Sequence, residues 1–309
     1  MPTPHIVHWD DAPRRQAGSG PFDAYWTALG VAAGTVTTGL RRQEIQPGRR
    51  ATPAHTHTAE EELFFVLAGS GLAWLDGETF AVAAGDCLAC LANGPAHTLI
   101  AGPDGLDVLV FGTRVETEVG RLPRAGVAWF GPTWAEVGGG AHPWTREAAA
   151  GELELGEPGP RPATAVALDD VAAVETGKGR SSFRQRKIGD ALGSRATGLR
   201  HFAIAPGKYA FPAHVHSADE EIFVVLGGDG VCELGDETHA VRRGHVVARP
   251  AGTGVAHAFR AGDDGLELLA YGERRPYDVT YYPRSRKLSF GGLGVMMLVE
   301  PVGYWDGEE

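Results

Sequence analysis

The chain twice sets two histidines one residue apart, follows them with a carboxylate, and then enters an apolar run that ends at glycine. The first copy reads Pro53-Ala-His55-Thr-His57-Thr-Ala-Glu-Glu61-Glu62-Leu-Phe-Phe-Val-Leu-Ala-Gly69. The second reads Pro212-Ala-His214-Val-His216-Ser-Ala-Asp-Glu220-Glu221-Ile-Phe-Val-Val-Leu-Gly-Gly228. On a β-strand, side chains at i and i+2 point to one face, so His55 converges with His57, and His214 with His216. Glu62 and Glu221 open the following apolar runs across a short polar turn. If each run is the neighbouring strand, its carboxylate meets the two imidazoles at one point. Such a set suits a divalent first-row metal: imidazole serves Zn, Fe, Ni or Cu, and carboxylate favours Mn.

A further histidine lies downstream in both copies. Gly85-Asp-Cys-Leu-Ala-Cys-Leu-Ala-Asn-Gly-Pro-Ala-His97 is answered by Gly244-His-Val-Val-Ala-Arg-Pro-Ala-Gly-Thr-Gly-Val-Ala-His257. These blocks resemble the paired motifs of the cupin superfamily, in which the first motif supplies His, His and Glu and the second one His. The resemblance implies two ligand sets, His55, His57, Glu62, His97 and His214, His216, Glu221, His257, with one divalent metal per barrel (Fe, Mn, Ni, Cu or Zn). Leu91 departs from the family's usual proline, and extra residues precede each final histidine; both changes lengthen a loop and keep the ligand type. Glu61 and Glu220 are neighbouring carboxylates that compete for the role. Glu62 and Glu221 are preferred because each stands immediately before its apolar run, as in the family pattern. A lone His-X-His is commonly two solvated loop histidines; two complete sets in matching order within a repeat make metal binding the expectation.

The repeat runs at a register of 159 residues, His55 to His214, and of 160 from His97 to His257, so one residue is inserted between them. Thr38-Gly-Leu-Arg41 is answered by Thr197-Gly-Leu-Arg200, and Pro123-Arg124 by Pro283-Arg284. A period this long means duplicated domains and not a solenoid. Short apolar runs separated by turn signals such as Asp76-Gly77 predict antiparallel β-structure with almost no helix. The expected fold is all-β, and the resemblance implies two tandem jelly-roll barrels of the double-stranded β-helix type. The expected organisation is an aromatic N-terminal arm (1–28), a first barrel (29–130), a Gly/Pro-rich linker with a short helix near Thr145–Ala150 (131–163), a second barrel (164–290) and a C-terminal extension (291–309). The extension is expected to add a strand at 294–299, and its Tyr304-Trp305 end is similar to the tail of bacterial two-cupin proteins. His142 is expected to be a solvated loop residue.

Composition narrows the functions. With 309 residues and 43% hydrophobic content the chain can bury two cores. Its net charge of −11, with no basic block, argues against a nucleic-acid partner. No run approaches the length of a membrane span and no signal-peptide pattern opens the sequence, so the expectation is a cytoplasmic protein with no membrane partner. Three cysteines are too few for a disulfide framework. Cys87 and Cys90, at i and i+3 of a strand, face opposite sides and are expected to be structural.

Strand parity also predicts the walls of the sites. Phe64 and Val66 share the face of Glu62, Phe223 and Val225 that of Glu221, and Leu99 and Phe259 flank His97 and His257. Arg49 and Lys208 correspond in the repeat and share parity with the histidine pairs, which makes them candidates for a substrate carboxylate at the mouth. The resemblance implies a metal-dependent enzyme, foremost an oxygenase of dioxygenase type acting on a small oxygenated molecule. Oxalate-decarboxylase-like, isomerase or lyase chemistry uses similar ligands, and two-barrel storage proteins share the architecture but lose the ligands. Aromatic residues near both ends, Trp9, Trp26 and Trp305, raise the expectation of a homodimer.

Overall fold

The computed structural model describes residues 5–130, 133–136 and 141–308. Strands Arg14–Ser19, Phe22–Thr27, Thr38–Ile45, Glu62–Leu75, Glu78–Ala83, Asp86–Cys90 and His97–Thr113 build a first barrel. Ala173–Lys178, Ser181–Arg186, Thr197–Ile204, Glu221–Leu234, Glu237–Arg242, His245–Arg249 and His257–Glu273 repeat it. The architecture is therefore all-β, two tandem jelly-roll barrels: two as the duplication predicts, and of the type that the cupin resemblance implies.

Each barrel takes one strand from outside its own repeat. Ile6–His8 pairs antiparallel with the His245–Arg249 strand, and Ala165–Ala167 pairs with Asp86–Cys90. The segment 1–28 is accordingly not one arm. Its first strand joins the second barrel, and its residues 14–27 form a hairpin of the first. Residues 165–167, on the second-barrel side of the expected boundary, complete the first barrel instead. The physical reason is the sheet edge: an uncovered strand leaves a row of unpaired N–H and C=O groups, and the exchanged strands cover one in each barrel.

The apolar runs are unbroken because both strand faces are buried. Leu63 and Phe65 join Leu109, Phe111, Ile222, Val224, Leu269 and Tyr271 in a core shared by the two barrels. Phe64 and Val66 point the other way into the first barrel, and Phe223 and Val225 into the second. Each such side chain contributes about 1.5–3 kcal/mol on full burial, so the shared core welds the halves together. Phe111 and Tyr271, equivalent in the repeat, meet at 5.2 Å across it; contact between equivalent positions is the mark of a two-fold arrangement. Cys87 lies in this shared core and Cys90 inside the first barrel, both free, so they face opposite sides as predicted.

Glycine ends each apolar run for a steric reason. Gly69 has φ +81°, and a Cβ there would overlap the Gly105 carbonyl; Gly228 stands in the same relation to Gly265. Beyond each barrel a small sheet follows. Gly120–Leu122, Val127–Phe130 and Thr133–Glu136 form the first, and Val215–His216, Val279–Tyr282, Lys287–Phe290 and Val295–Leu298 the second. The expected C-terminal strand thus exists and pairs with Lys287–Phe290. The linker helix spans Pro143–Ala149, with His142 as its cap: its ring accepts from the Trp144 N–H. No described helix is long and apolar enough to cross a membrane.

Candidate metal centres

His55 sits on an extended segment held on both sides. It exchanges both backbone hydrogen bonds with His97, at 3.1 and 2.9 Å, while Thr56 does the same with Arg121 at 2.9 Å. His57 follows two residues later on the same face, and Glu62 begins the long strand beside it. In the first barrel, Glu62 Oε2 lies 3.1 Å from His97 Nε2 and 3.5 Å from both His55 Nε2 and His57 Nε2. In the second, Glu221 Oε2 lies 3.1, 3.4 and 3.9 Å from Nε2 of His257, His216 and His214. The structure thus brings His55, His57, Glu62 and His97 into one cluster and His214, Glu221 and His257 into another, with His216 beside the latter through Glu221 and also grouped with Asp219 and Asp278.

The residues fit a metal ion. Nε2 of His57, Nε2 of His257 and Oε2 of Glu221 are buried atoms without a hydrogen-bond partner. Such groups are costly inside a protein unless an ion or water satisfies them. The opposite ring nitrogens are already engaged. Nδ1 of His55 and of His214 face the carbonyls of Pro53 and Pro212 at 2.8 and 2.9 Å. Nδ1 of His57 faces Glu118 at 3.3 Å, and Nδ1 of His216 faces Asp278 at 2.7 Å. Holding the proton on Nδ1 leaves Nε2 free to bind metal.

Glu118 and Asp278 went unrecognised in the sequence. They keep the register of 160 residues, so the duplication itself carried the signal. Each is anchored by backbone N–H groups: Glu118 by Thr58, Ala59 and Glu60, and Asp278 by Ala218 and Asp219. We expect Glu118→Ala and Asp278→Ala to weaken metal binding at their own barrels by about 10–100-fold, read by titration against a competing chelator. An unchanged affinity would show that these carboxylates do not orient the histidines.

Electrostatics supports the same division. Burial opposes charge on Glu62, but hydrogen bonds from three imidazoles outweigh it and hold the carboxyl well below its usual range. Glu221 is lowered likewise against its burial, by His216 first and then His257 and His214. Burial also opposes charge on His57, yet Glu62, Glu118 and Glu60 together raise it to about 9. His216 is raised to about 9 in the same way, by Glu221 and Asp278 against burial. His97 and His257 are lowered, by burial first. Each site therefore keeps one partly buried carboxylate charged among its imidazoles, with a second, Glu118 or Asp278, held low behind them, a set suited to a cation.

The two sites differ in what surrounds them. A cavity of about 790 Å³ opens onto His55, His57 and Glu62, and its walls include Arg41, Arg114, Trp26, Trp129, Trp144 and His142. At the second site Phe211 occupies the place of Thr52, the first cavity's small wall residue, and its ring lies 5.0 Å from His214 and 5.9 Å from His257. Tyr282 stacks on His214 at 5.6 Å. Gln185 and Ser289 stand where Trp26 and Trp129 stand in the first repeat.

The apolar residues named by strand parity lie inside the barrels on the ligand side, with the Phe64 ring 6.1 Å from His97 and the Phe223 ring 5.2 Å from His257, whereas Arg49 and Lys208 lie elsewhere. Phe64 and Leu99 line a small inner cavity together with His55, Glu62 and His97, and Val66 is packed in the barrel core. Phe223, Val225 and Phe259 fill the second barrel's core. Arg49 and Lys208 are exposed, and neither lines a cavity described here. Arg49 closes a turn with Gln46 in which Gly48 has φ +67°, so strand parity does not carry through to it. Arg41 and Arg114 reach the first cavity in its place. His142 is exposed, as expected of a solvated residue, and it also lines that cavity and packs edge-on against Trp134 at 4.9 Å.

Glu61 and Glu220 are not ligands; each ties its barrel to the other. Glu220 accepts the N–H groups of Val36, Thr37 and Thr38 at 2.8, 2.8 and 2.7 Å. Glu61 accepts Ser194 Oγ at 2.6 Å and the N–H groups of Arg195 and Ala196 at 3.1 and 3.3 Å. Side-chain alternation explains the doublet: one carboxylate turns into the barrel, and its neighbour out to the partner barrel.

Comparison with known proteins agrees with this architecture. Residues 41–110 and 200–271 match the Cupin domain family. No curated protein matches in sequence. Among solved structures, oxalate decarboxylase from Bacillus subtilis at pH 4.6 is 15% identical with a TM-score of 0.58, over 87% of this chain and 75% of that one. The formate complex of oxalate decarboxylase from Lactobacillus farciminis is also 15% identical, with a TM-score of 0.59, over 88% of this chain and 87% of that one. At such identity the likeness concerns the fold. With one Cupin domain match in each half, each containing His and Glu groups able to bind metal, the chain is a two-domain cupin protein.

Proposed function

We propose that the first barrel is a metal-dependent oxygenase site of dioxygenase type, acting on a small oxygenated carboxylic acid. The observation that carries this reading is the cavity of about 790 Å³ that joins His55, His57 and Glu62 to two guanidinium groups and three tryptophans. His55, His57, Glu62 and His97 would hold one divalent ion, with Fe, Mn, Ni and Cu the candidates for redox chemistry and Zn for a non-redox role. Such an ion supplies Lewis acidity and, if redox-active, electron transfer.

The chain's own residues do the rest. Arg41 and Arg114 offer planar donors matched to a carboxylate. Trp26, Trp129 and Trp144 give an apolar wall that excludes water and stacks on a flat substrate. Trp26 also brings a buried Nε1–H without a hydrogen-bond partner, a donor for a substrate oxygen.

A decarboxylase is the second reading, favoured by Glu60 on the same cavity wall. Burial raises its carboxyl above the usual range, so it is suited to deliver a proton to the carbon left when carbon dioxide departs. Oxygen uptake with both atoms recovered in product supports the first reading. Carbon dioxide release that follows Glu60→Gln, without oxygen entering product, would replace it with the second.

Thr52→Phe tests the site itself, because it copies into the first barrel the side chain that fills the second. We expect metal content to stay at the wild-type level while turnover falls by more than about tenfold through loss of binding space. Full turnover in this variant would place the substrate elsewhere.

A further inference from the structure

Trp144 and Glu147 recur as Trp305 and Glu308, two residues between them in each case, after the last strand of each small sheet. In the first half this Trp-x-x-Glu segment is docked. Trp144 packs on Phe22 and Trp26, with ring centroids at 5.1 and 6.2 Å. Glu147 is fully buried, 3.4 Å from Arg50 Nη1 and 3.5 Å from Arg124 Nη1. Arg124 also donates to the carbonyls of Ala150 and Gly151, just past the helix.

In the second half the matching segment stands off the barrel, with Tyr304 86% and Trp305 74% exposed. At the corresponding place Ser181 and Gln185 stand for Phe22 and Trp26, and Tyr209 for Arg50, so the seat there is built from other residues. A groove of about 310 Å³ is lined by Lys178, Arg180, Tyr209, Phe211, Arg284 and Lys287. The two seats are equivalent in the fold: Ser181 bridges Tyr209 as Phe22 bridges Arg50, and Arg284 takes the place of Arg124. Glu233 faces the groove and accepts from Tyr209 at 2.6 Å and from Arg284 at 2.7 Å. Lys178, Arg180 and Lys287 still leave it cationic on a chain whose net charge is −11. The tail brings the complement, an indole and the carboxylates of Asp306 and Glu308.

We propose that this groove is the docking site of the chain's own C-terminal segment around Trp305–Glu308. The segment straps the second barrel as the linker helix straps the first. Trp305 packs against the aromatic floor of Tyr209 and Phe211, and Glu308 enters the basic cluster. Because the Pro212 carbonyl that orients His214 lies on the same groove wall, the strap also closes the outer side of the second metal centre. The proposal is independent of the reaction assigned to the first barrel.

Cross-linking in the full-length chain tests it. Ser285→Cys and Asp306→Cys, both at exposed positions, are joined with a short bis-maleimide; Cys87, Cys90 and Cys232 are buried. The expected result is a link within one chain, formed about tenfold or more faster than when Trp305→Ala and Glu308→Lys are added. Lys287→Glu on the groove side should slow it as well, and salt near 1 M, where the Debye length is about 3 Å, should do the same. Unchanged wild-type metal content in every variant verifies the fold. A rate indifferent to Trp305, Glu308 and Lys287 overturns the proposal. Links formed mainly between two chains also overturn it, by giving the groove to the tail of a second copy.

Discussion

His57→Ala is expected to strip the metal from the first barrel and lower turnover by more than about a hundredfold, since it removes a ligand and not merely a group behind one. His216→Ala is expected to strip the second ion and leave turnover within a few-fold of wild type. The asymmetry follows from what surrounds two nearly identical ligand sets. Substrate can approach His55, His57 and Glu62 through a cavity of about 790 Å³, whereas Phe211 and Tyr282 pack against the histidines of the second set. Mass-spectrometric metal analysis and steady-state rates on the same preparations separate the outcomes. Equal losses of turnover in the two variants would mean that the barrels work together, and a selective loss in His216→Ala would reverse the assignment.

Glu220→Ala should cost about 2–3 kcal/mol of stability, since hydrogen bonds to a charged group are worth more than neutral ones and a buried donor left without its acceptor costs about 1–3 kcal/mol. The carboxylate is nearly inaccessible at 1% exposure, and it satisfies three consecutive backbone N–H groups and the Thr38 hydroxyl. Alanine would leave the buried Thr38 N–H and hydroxyl, and the part-buried N–H groups of Val36 and Thr37, without their acceptor at the seam of the two barrels. Glu61→Ala should cost less, because its backbone contacts are longer, at 3.1 and 3.3 Å. Denaturant unfolding followed by tryptophan fluorescence and by circular dichroism reads both. Coincident transitions shifted to lower denaturant are the expected result. A wild-type midpoint for Glu220→Ala would show that the carboxylate does not hold the seam.

Much of the architecture was legible because the chain states it twice. His55 and His57 share a face because a β-strand has a period of two, His214 and His216 repeat them, and the resemblance to the cupin motifs added Glu62, His97, Glu221 and His257. Glu118 and Asp278 obeyed the same register, but a lone acid in a loop has no spacing rule that links it to a histidine sixty residues away. The doublets Glu61–Glu62 and Glu220–Glu221 offered two ligand candidates each, and parity alone could not say which member faced inward. The fold decides that: Glu62 and Glu221 point into their barrels, while Glu61 and Glu220 reach across to loops of the opposite barrel.

By itself, then, the sequence showed the duplication and the paired histidines through local period and repetition along the chain, while the barrel type and the full ligand sets came from its resemblance to the cupin motifs. The tertiary structure alone decided the strand exchange of Ile6–His8 and Ala165–Ala167, the cavity walls built by Arg41, Arg114 and Trp144, and the filling of the second site by Phe211. These depend on which distant segments meet. That is settled by covering sheet edges and burying apolar faces across the seam, where no pattern along the chain records the partner.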